Sequence, residues 1–531
     1  MKFIRIFFLL SIAPFILLAQ KTAPANWFNL DFKTDKIMGI STEKAYAELG
    51  IANKGNKIIV AVIDGGTDIS HEDLKNNIWQ NSQEIPNNLV DEDGNGYIDD
   101  VNGWNFIGGK EQNVQEDTYE ITRILHSYEE KGFPLEATPP FLDPYGKEAK
   151  QYQSAKELYM KNLTSIKSQK ASFDTLMSNI ERLVKRTGTV NPGPEKVKEL
   201  DVHTKMEKSA KMILLYIAKT GGIFSSPIMG QLRASETQIN NTLNYQLNLN
   251  FDPRFIVGDN YADLKESRYG NNQVMGPKAE HGTHVAGIIA ASRENEAGIK
   301  GICSEALIMV IRVVPDGDER DKDVANAIRY AVDNGAKVIN MSFGKPVSPN
   351  KAEVDLAVKY ALSKDVLIIH AAGNDAKNLE IDSNYPNPRF EVVDYTAQNW
   401  IEVGASSWEK GKRMVAPFSN YGRMKVDVFA PGVDINSCIP DNKYSSFSGT
   451  SMAAPVVTGL AALIRQNFPQ LTALQTKQII MLSAVKYEKK VFIPGSKKKT
   501  RLSELCRTGA IVNAYQAMLM AKRVAKGEIR L

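Results

Sequence analysis

The sequence predicts an α/β fold: a doubly wound, mostly parallel sheet with helices on both faces, plus an inserted helical subdomain. Three observations lead there. Runs rich in Val and Ile recur from Lys57 onward without clean polar alternation, as strands buried on both faces require. Stretches of amphipathic helical pattern separate those runs. A block over residues 112–270 breaks the rhythm with helical periodicity alone.

Taken in chain order, Lys2 and Arg5 precede the apolar run IFFLLSIAPFILLA, which is short for a bilayer span. It reads as a signal peptide, residues 1–19, cut near Ala19 or Gln20. The expectation is an exported protein in the periplasm, at the cell surface or in the medium, with no membrane span after signal removal. Residues 20–56 form an N-terminal segment. KIIVAVID, ALIMVIRVV, AKVINMSF, DVLIIHAAG and NWIEVGAS read as strands of one domain in two parts, 57–111 and 271–531. DKDVANAIRYAVDNG and KAEVDLAVKYALSK read as its covering helices. In the insertion, Tyr159, Leu163, Ile166, Phe173, Leu176, Ile180 and Leu183 recur every three, four or seven positions, a helical spacing. TGTVNPGP stops that helix, EKVKELDVHTKMEKSAKMILLYIAK starts another, and a third is expected over 235–249.

Composition excludes several classes. A net charge of +4 on 531 residues gives no reason to expect a nucleic-acid partner. Three cysteines (Cys303, Cys438, Cys506) are too few for a disulfide scaffold or a cysteine-rich zinc cluster, and leave room for one bridge of undetermined pairing.

Four stretches stand at strand ends or helix starts: AVIDGG with Asp64, HGTHVAGIIAA with His281, HAAGND with Asn374, and SFSGTSMAAPVVTGLAALI with Ser451. Singly, each has a bland reading as a turn, a cap or a satisfied polar residue. Jointly they supply what acyl transfer needs. A serine hydroxyl is a poor nucleophile until an imidazole removes its proton, and that imidazole needs a carboxylate to fix its tautomer. The oxyanion needs donors already in place, such as a carboxamide and an N–H at a helix N-terminus.

VIDGG, HGTHVAG, NMSFG, AAGN and GTSMAAP resemble the signature segments of the subtilisin-like serine peptidases, the subtilases. The resemblance covers 57–106 and 271–531. It implies Asp64 as orienting carboxylate, His281 as general base then acid, Ser451 as nucleophile and Asn374 as oxyanion donor. It also implies that Ser342, Phe343 and Gly344 pair with an extended polypeptide substrate, opposite a wall of Ala371, Ala372 and Gly373. His284 is expected to be structural, His370 a polar neighbour, and His71, His126 and His203 carry no role. No organic cofactor is implied. The family's usual large apolar P1 side chain is expected, with Asp382 as a weaker pointer to basic P1. A catalytically silent binding or scaffold protein on the same fold is the alternative, and a lipase-like hydrolase fails for want of a G-x-S-x-G elbow at Ser451.

Two departures stand out. Asp64 and His281 lie 217 positions apart (281 − 64), which the insertion accounts for. Its role stays open between substrate access, a partner surface and packing alone. Residues 20–56 leave no room for the inhibitory prodomain common in secreted relatives.

DEDGNGYIDD resembles an EF-hand loop, with Asp91, Asp93 and Asn95 at ligand positions one, three and five. Its flanks are not helical, and Asn102 stands where a bidentate Glu belongs. A calcium-stabilised surface loop is the expectation, with ligands from Asp91, Asp93, Asn95, the Tyr97 carbonyl and Asp99 or Asp100; an acidic turn without ion is the alternative.

Overall fold

The computed structural model describes residues 23–531 apart from 52–55, 138, 141–142, 145, 224–225 and 296–297. The expected signal peptide, residues 1–19, lies outside the described residues. Among those described, no helix is long and apolar enough to cross a membrane, and all three cysteines are buried and free.

The described chain divides into two compact units, one of residues 23–115 with 252–531 and one of 116–251. The first is built on a parallel sheet. Its strands are β1 (Ile58–Asp64), β2 (Gly103–Asn105), β3 (Ala306–Arg312), β4 (Val338–Met341), β5 (Leu367–Ala371), β6 (Trp400–Ser406) and β7 (Val428–Pro431). They run in the order β2-β3-β1-β4-β5-β6-β7, every neighbouring pair parallel. Ala510–Ile511 continues the sheet in parallel beyond β7, and Val485–Lys486 closes it antiparallel.

Burial on both faces explains the apolar runs. In β1, Val60 and Val62 join one core with the helices Glu280–Ala290 and Thr450–Asn467, while Ala61 and Ile63 join the other with Asp321–Asp333 and Lys351–Ser363. Each such Val or Ile contributes about 1.5–3 kcal/mol of burial. Thr450–Asn467 is buried on nearly every side, and its sequence is accordingly apolar all round.

The topology positions the site. After β1 the chain builds β2 and β3 on one side, then crosses to β4 on the other. Crevices for ligands open at the carboxyl ends of strands beside such a reversal. Because the strands are parallel, Asp64 at the end of β1, Ser342 after β4 and Asn374 after β5 share one edge.

The second unit holds helices Glu120–Glu129, Lys147–Arg186, Lys205–Lys219 and Pro227–Asn241, the last followed by a π-turn at Thr242–Gln246. In Lys147–Arg186 the buried stripe includes Tyr159, Ile166, Phe173, Leu176, Ile180 and Leu183, with Leu163 half-buried. Thr204 and Glu207 form a capping box that starts the next helix.

Residues 252–270, read from the sequence with the insertion, pack in the first unit. Arg254 donates to both carboxylate oxygens of Asp323 (2.7 and 2.8 Å) and to Asp259 (2.7 Å). Tyr269 Oη donates to Asp323 at 2.7 Å, and Lys322 pairs with Asp259 at 2.7 Å. Such fully buried charges must be paired, so this segment is fixed to the helix Asp321–Asp333.

Candidate active site

Asp64 ends β1 almost fully buried. Its carboxylate accepts the Gly65 N–H at 2.7 Å and faces His281 Nδ1 at 2.8 and 3.0 Å. His281 lies in the first turn of Glu280–Ala290, and its side chain is 30% exposed. Glycine makes the contact possible. A Cβ on Gly282 would stand 2.1 Å from the Gly66 carbonyl oxygen, so only glycine lets this helix approach the turn after Asp64. Arg312, opposite Asp64 in the register, holds that turn by donating from Nε to Gly65 O (2.9 Å) and from Nη2 to Val114 O (2.6 Å). Burial pushes the Arg312 guanidinium down to about 10.

Ser451 is the second residue of Thr450–Asn467. Its hydroxyl donates to the Ser342 carbonyl at 3.1 Å, and among the described residues no hydrogen bond joins it to His281. In return, Ser342 Oγ donates to the Ser451 carbonyl at 3.0 Å. Pro455 explains this second bond. It stands four residues on, where its N–H would have met the Ser451 carbonyl, and proline has none. Asn340 Nδ2 donates to Ser342 Oγ (2.9 Å), and Thr458 Oγ1 donates to Asn340 Oδ1 (2.9 Å).

Asn374 follows β5 in the left-handed turn at Gly373, whose added Cβ would meet Asn420 Nδ2 at 2.4 Å. Its Oδ1 accepts the Thr450 N–H at 2.8 Å and the Thr450 hydroxyl at 3.0 Å. A backbone N–H only donates, so the oxygen end is committed and the amide hydrogens are the end left for a ligand. Asn420 anchors this turn, donating to Ala372 O (2.8 Å) and accepting from the Asp375 and Lys377 N–H groups.

A cleft is lined by Ser342, Phe343, Gly344, Ala371, Gly373, Asn374, Asp375, Asn384, Thr450 and Ser451. Ala372, expected in the same wall, is fully buried behind it, its carbonyl taken by Asn420 and Asn384. Asp382 is exposed and outside that lining; Asp375 takes the acidic place. Sequence reasoning missed Asn340, Thr458, Thr450, Asn384 and Asn420, whose signal lies in hydrogen bonds between distant segments. The spacing of Pro455 from Ser451 could have flagged the freed carbonyl.

The other histidines take no part in the Asp64–His281 contact, and His370 lies edge-on to the cleft residue Phe343 at 6.4 Å. His284 stacks on Phe447 at 4.4 Å, with Nε2 bonded to the Ile435 and Ser445 carbonyls (3.0 Å each). His71 bonds Lys443 O and the Asp73 N–H. His370, fully buried, bonds Glu402 at 3.0 Å, which also accepts the Trp400 Nε1–H.

In the acidic loop the carboxylates divide. Asp91 accepts the Asn95 and Gly96 N–H groups, and Asp99 accepts those of Asn88 and Leu89. Asp93 and Asp100 instead converge with Glu84, their oxygens within 4.8 Å of one another. Asn95 donates to both Asp93 and Asp100 (3.1 Å each), and its own oxygen accepts the Tyr97 N–H. Burial pushes the Asp100 carboxyl up to about 6. Three crowded carboxylates of hard oxygen are a donor set that suits calcium. Glu84 was not legible from the loop motif.

A doubly wound sheet that gathers an imidazole, a carboxylate and a serine on its carboxyl edge has the build of a serine-hydrolase class of protein. Comparison with known proteins narrows that class. The subtilase family profile (Peptidase_S8) matches residues 55–509, and the chain belongs to that family. It is similar to a thermophilic serine proteinase of Bacillus sp. strain AK1, 44% identical over 35% of this chain and 42% of that protein. It is likewise similar to an intracellular serine protease of Paenibacillus polymyxa (38% identical; 40% of this chain, 61% of that one). Thermitase of Thermoactinomyces vulgaris is 41% identical over 35% of this chain and 60% of its own length. The matched stretch covers less than two thirds of each of these relatives.

Proposed function

We propose that this chain is an exported serine endopeptidase that hydrolyses peptide bonds through an acyl-enzyme on Ser451. The observation that carries the reading is the 2.8 Å contact of Asp64 with His281, on the sheet edge that also bears Ser451 and the oriented Asn374. His281 Nε2 takes the Ser451 proton as Oγ attacks the substrate carbonyl, while Asp64 holds the Nδ1–H and offsets the imidazolium. The oxyanion meets Asn374 Nδ2 and the Ser451 N–H at the helix N-terminus. Collapse breaks the C–N bond, and the departing amine takes the proton from His281. Water then repeats the cycle: His281 removes its proton, the oxygen attacks the ester, and Ser451 leaves protonated.

An extended polypeptide would pair with Ser342–Gly344 and place its P1 side chain, a large apolar one, against Ala371 and Gly373. A substrate N–H that takes the Ser342 carbonyl releases the Ser451 hydroxyl, which rotates about Cα–Cβ toward His281. Calcium, with Glu84, Asp93 and Asp100 as its holders, would neutralise the acidic loop and stabilise the fold.

A fluorophosphonate probe tests the reading. Folded wild type is expected to label and folded Ser451→Ala is not. An unlabelled, folded wild type would overturn the peptidase and favour a silent binding protein on the subtilase fold.

A further inference from the structure

We propose that the basic hairpin over residues 491–500, with the cationic residues that flank it, is a specificity surface that favours substrates with acidic side chains within a few positions of the scissile bond. The inference rests on the peptidase reading above.

The hairpin pairs Val491–Phe492 with Lys499–Thr500, and its turn is closed by Ile493 N–H donating to Lys498 O at 2.9 Å. Its tip is fixed to the segment next to the cleft residue Asp375. Gly495 N–H donates to Pro417 O at 2.9 Å, and Ala376 N–H donates to Phe418 O at 2.8 Å. A Cβ on Gly495 would lie 3.0 Å from the Ala376 Cβ. Asp375 lines the cleft and Ala376 is the next residue, two positions past Asn374. Two residues span at most about 7 Å, so the hairpin tip stands within roughly 13 Å of the Asn374 Cα. An extended substrate advances about 3.4 Å per residue, so side chains a few positions from the cleaved bond come within reach of a lysine there.

The charge on this hairpin and its flanks is one-sided, with Lys497, Lys498 and Lys499 on the hairpin itself. Residues 486–501 carry seven Lys or Arg and one acid, Glu488. All seven cations are exposed, and among the described residues none makes an ion pair. Lys499 instead lies 5.9 Å from the Phe492 ring, beside Lys412 at 5.3 Å. Lys497 and Lys498 follow Gly495 at the tip. The nearest cleft acid, Asp375, is already paired with Lys377 at 3.4 Å. Unpaired cations on a braced hairpin form a field that attracts acidic side chains. The Gly495–Pro417 bond and the close approach of Gly495 to Ala376 hold the tip beside the cleft, which favours the substrate as its occupant over an anionic lipid surface.

The test uses the full chain and peptides that differ only by one Glu or Gln, walked across four positions on each side of the cleaved bond. At one or more positions kcat/KM for Glu is expected to exceed Gln by about fivefold at low salt, falling toward equality in about 0.5 M salt. The doubly reversed K497E/K498E enzyme, with unchanged melting, is expected to invert the preference and to cleave the Gln peptides as wild type does. Glu and Gln peptides cleaved alike at every position would overturn the inference and leave the peptidase reading intact. Failure of wild type to cleave any peptide or to label would overturn the reading beneath it. A reversal that weakens binding to phosphatidylglycerol vesicles and leaves the Glu-to-Gln ratio unchanged would overturn the inference in favour of a lipid surface.

Discussion

Ser342 and Ser451 exchange two hydrogen bonds: the Ser451 hydroxyl donates to the Ser342 carbonyl, and the Ser342 hydroxyl donates to the Ser451 carbonyl. The second bond replaces the helix bond that Pro455 cannot make. Ser342→Ala leaves the Ser451 carbonyl without that donor, and Asn340 Nδ2 without its acceptor. It is expected to cost about 1–3 kcal/mol in denaturant unfolding. An unchanged midpoint would show that water takes over both groups.

The orientation of Asn374 is set by Thr450, which donates to Oδ1 from both its N–H and its hydroxyl. Asn374→Ala is expected to lower kcat by about 10²–10³-fold with little change in KM, the scale of one oxyanion donor lost in a subtilisin. A loss in KM alone would reject the oxyanion role.

Asp64→Asn keeps the size of the side chain and removes the charge that fixes the His281 tautomer. Activity is expected to fall by about 10⁴-fold at neutral pH while the circular dichroism spectrum stays that of wild type.

Glu84, Asp93 and Asp100 crowd three carboxylates together. EDTA is expected to lower the melting temperature, and added calcium to restore it. In the Glu84→Gln plus Asp93→Asn variant the two curves should coincide. Wild-type curves that coincide with and without chelator would reject the site.

Arg254 is braced by Asp323 and Asp259, all three buried. Asp323→Ala leaves the buried guanidinium with Asp259 alone, a carboxylate it shares with Lys322, removes the Tyr269 Oη acceptor, and is expected to cost about 3–5 kcal/mol by urea unfolding. A loss below about 1 kcal/mol would mean the segment 252–270 is held by other contacts.

Much of this molecule was legible in the chain. The strand runs are apolar because both faces of the sheet are covered, and that pattern needs no partner to be read. Asp64, His281, Asn374 and Ser451 each stand beside glycine-bearing local motifs, so residue type and spacing flagged them. Asn340, Thr458 and Asn420 were not legible, since each acts through bonds to segments far away in the sequence. Glu84 escaped for a different reason: it lies seven residues before the loop motif, outside any metal-binding spacing, and joins Asp93 and Asp100 only when the loop folds back.

By itself, the sequence determined the parallel sheet, the helical character of an insertion read as 112–270 and the chemical types at the cleft. Periodicity and local turn chemistry act over a few residues, and a sequence displays them directly. Tertiary structure decided where the insertion ends, which acids meet, which way the Asn374 carboxamide faces, and that the Ser451 hydroxyl rests on Ser342. Those outcomes depend on distances between side chains from nine (93 − 84) to 109 (451 − 342) positions apart, and such distances exist only once the loops fold back, the strands are paired and the helices packed.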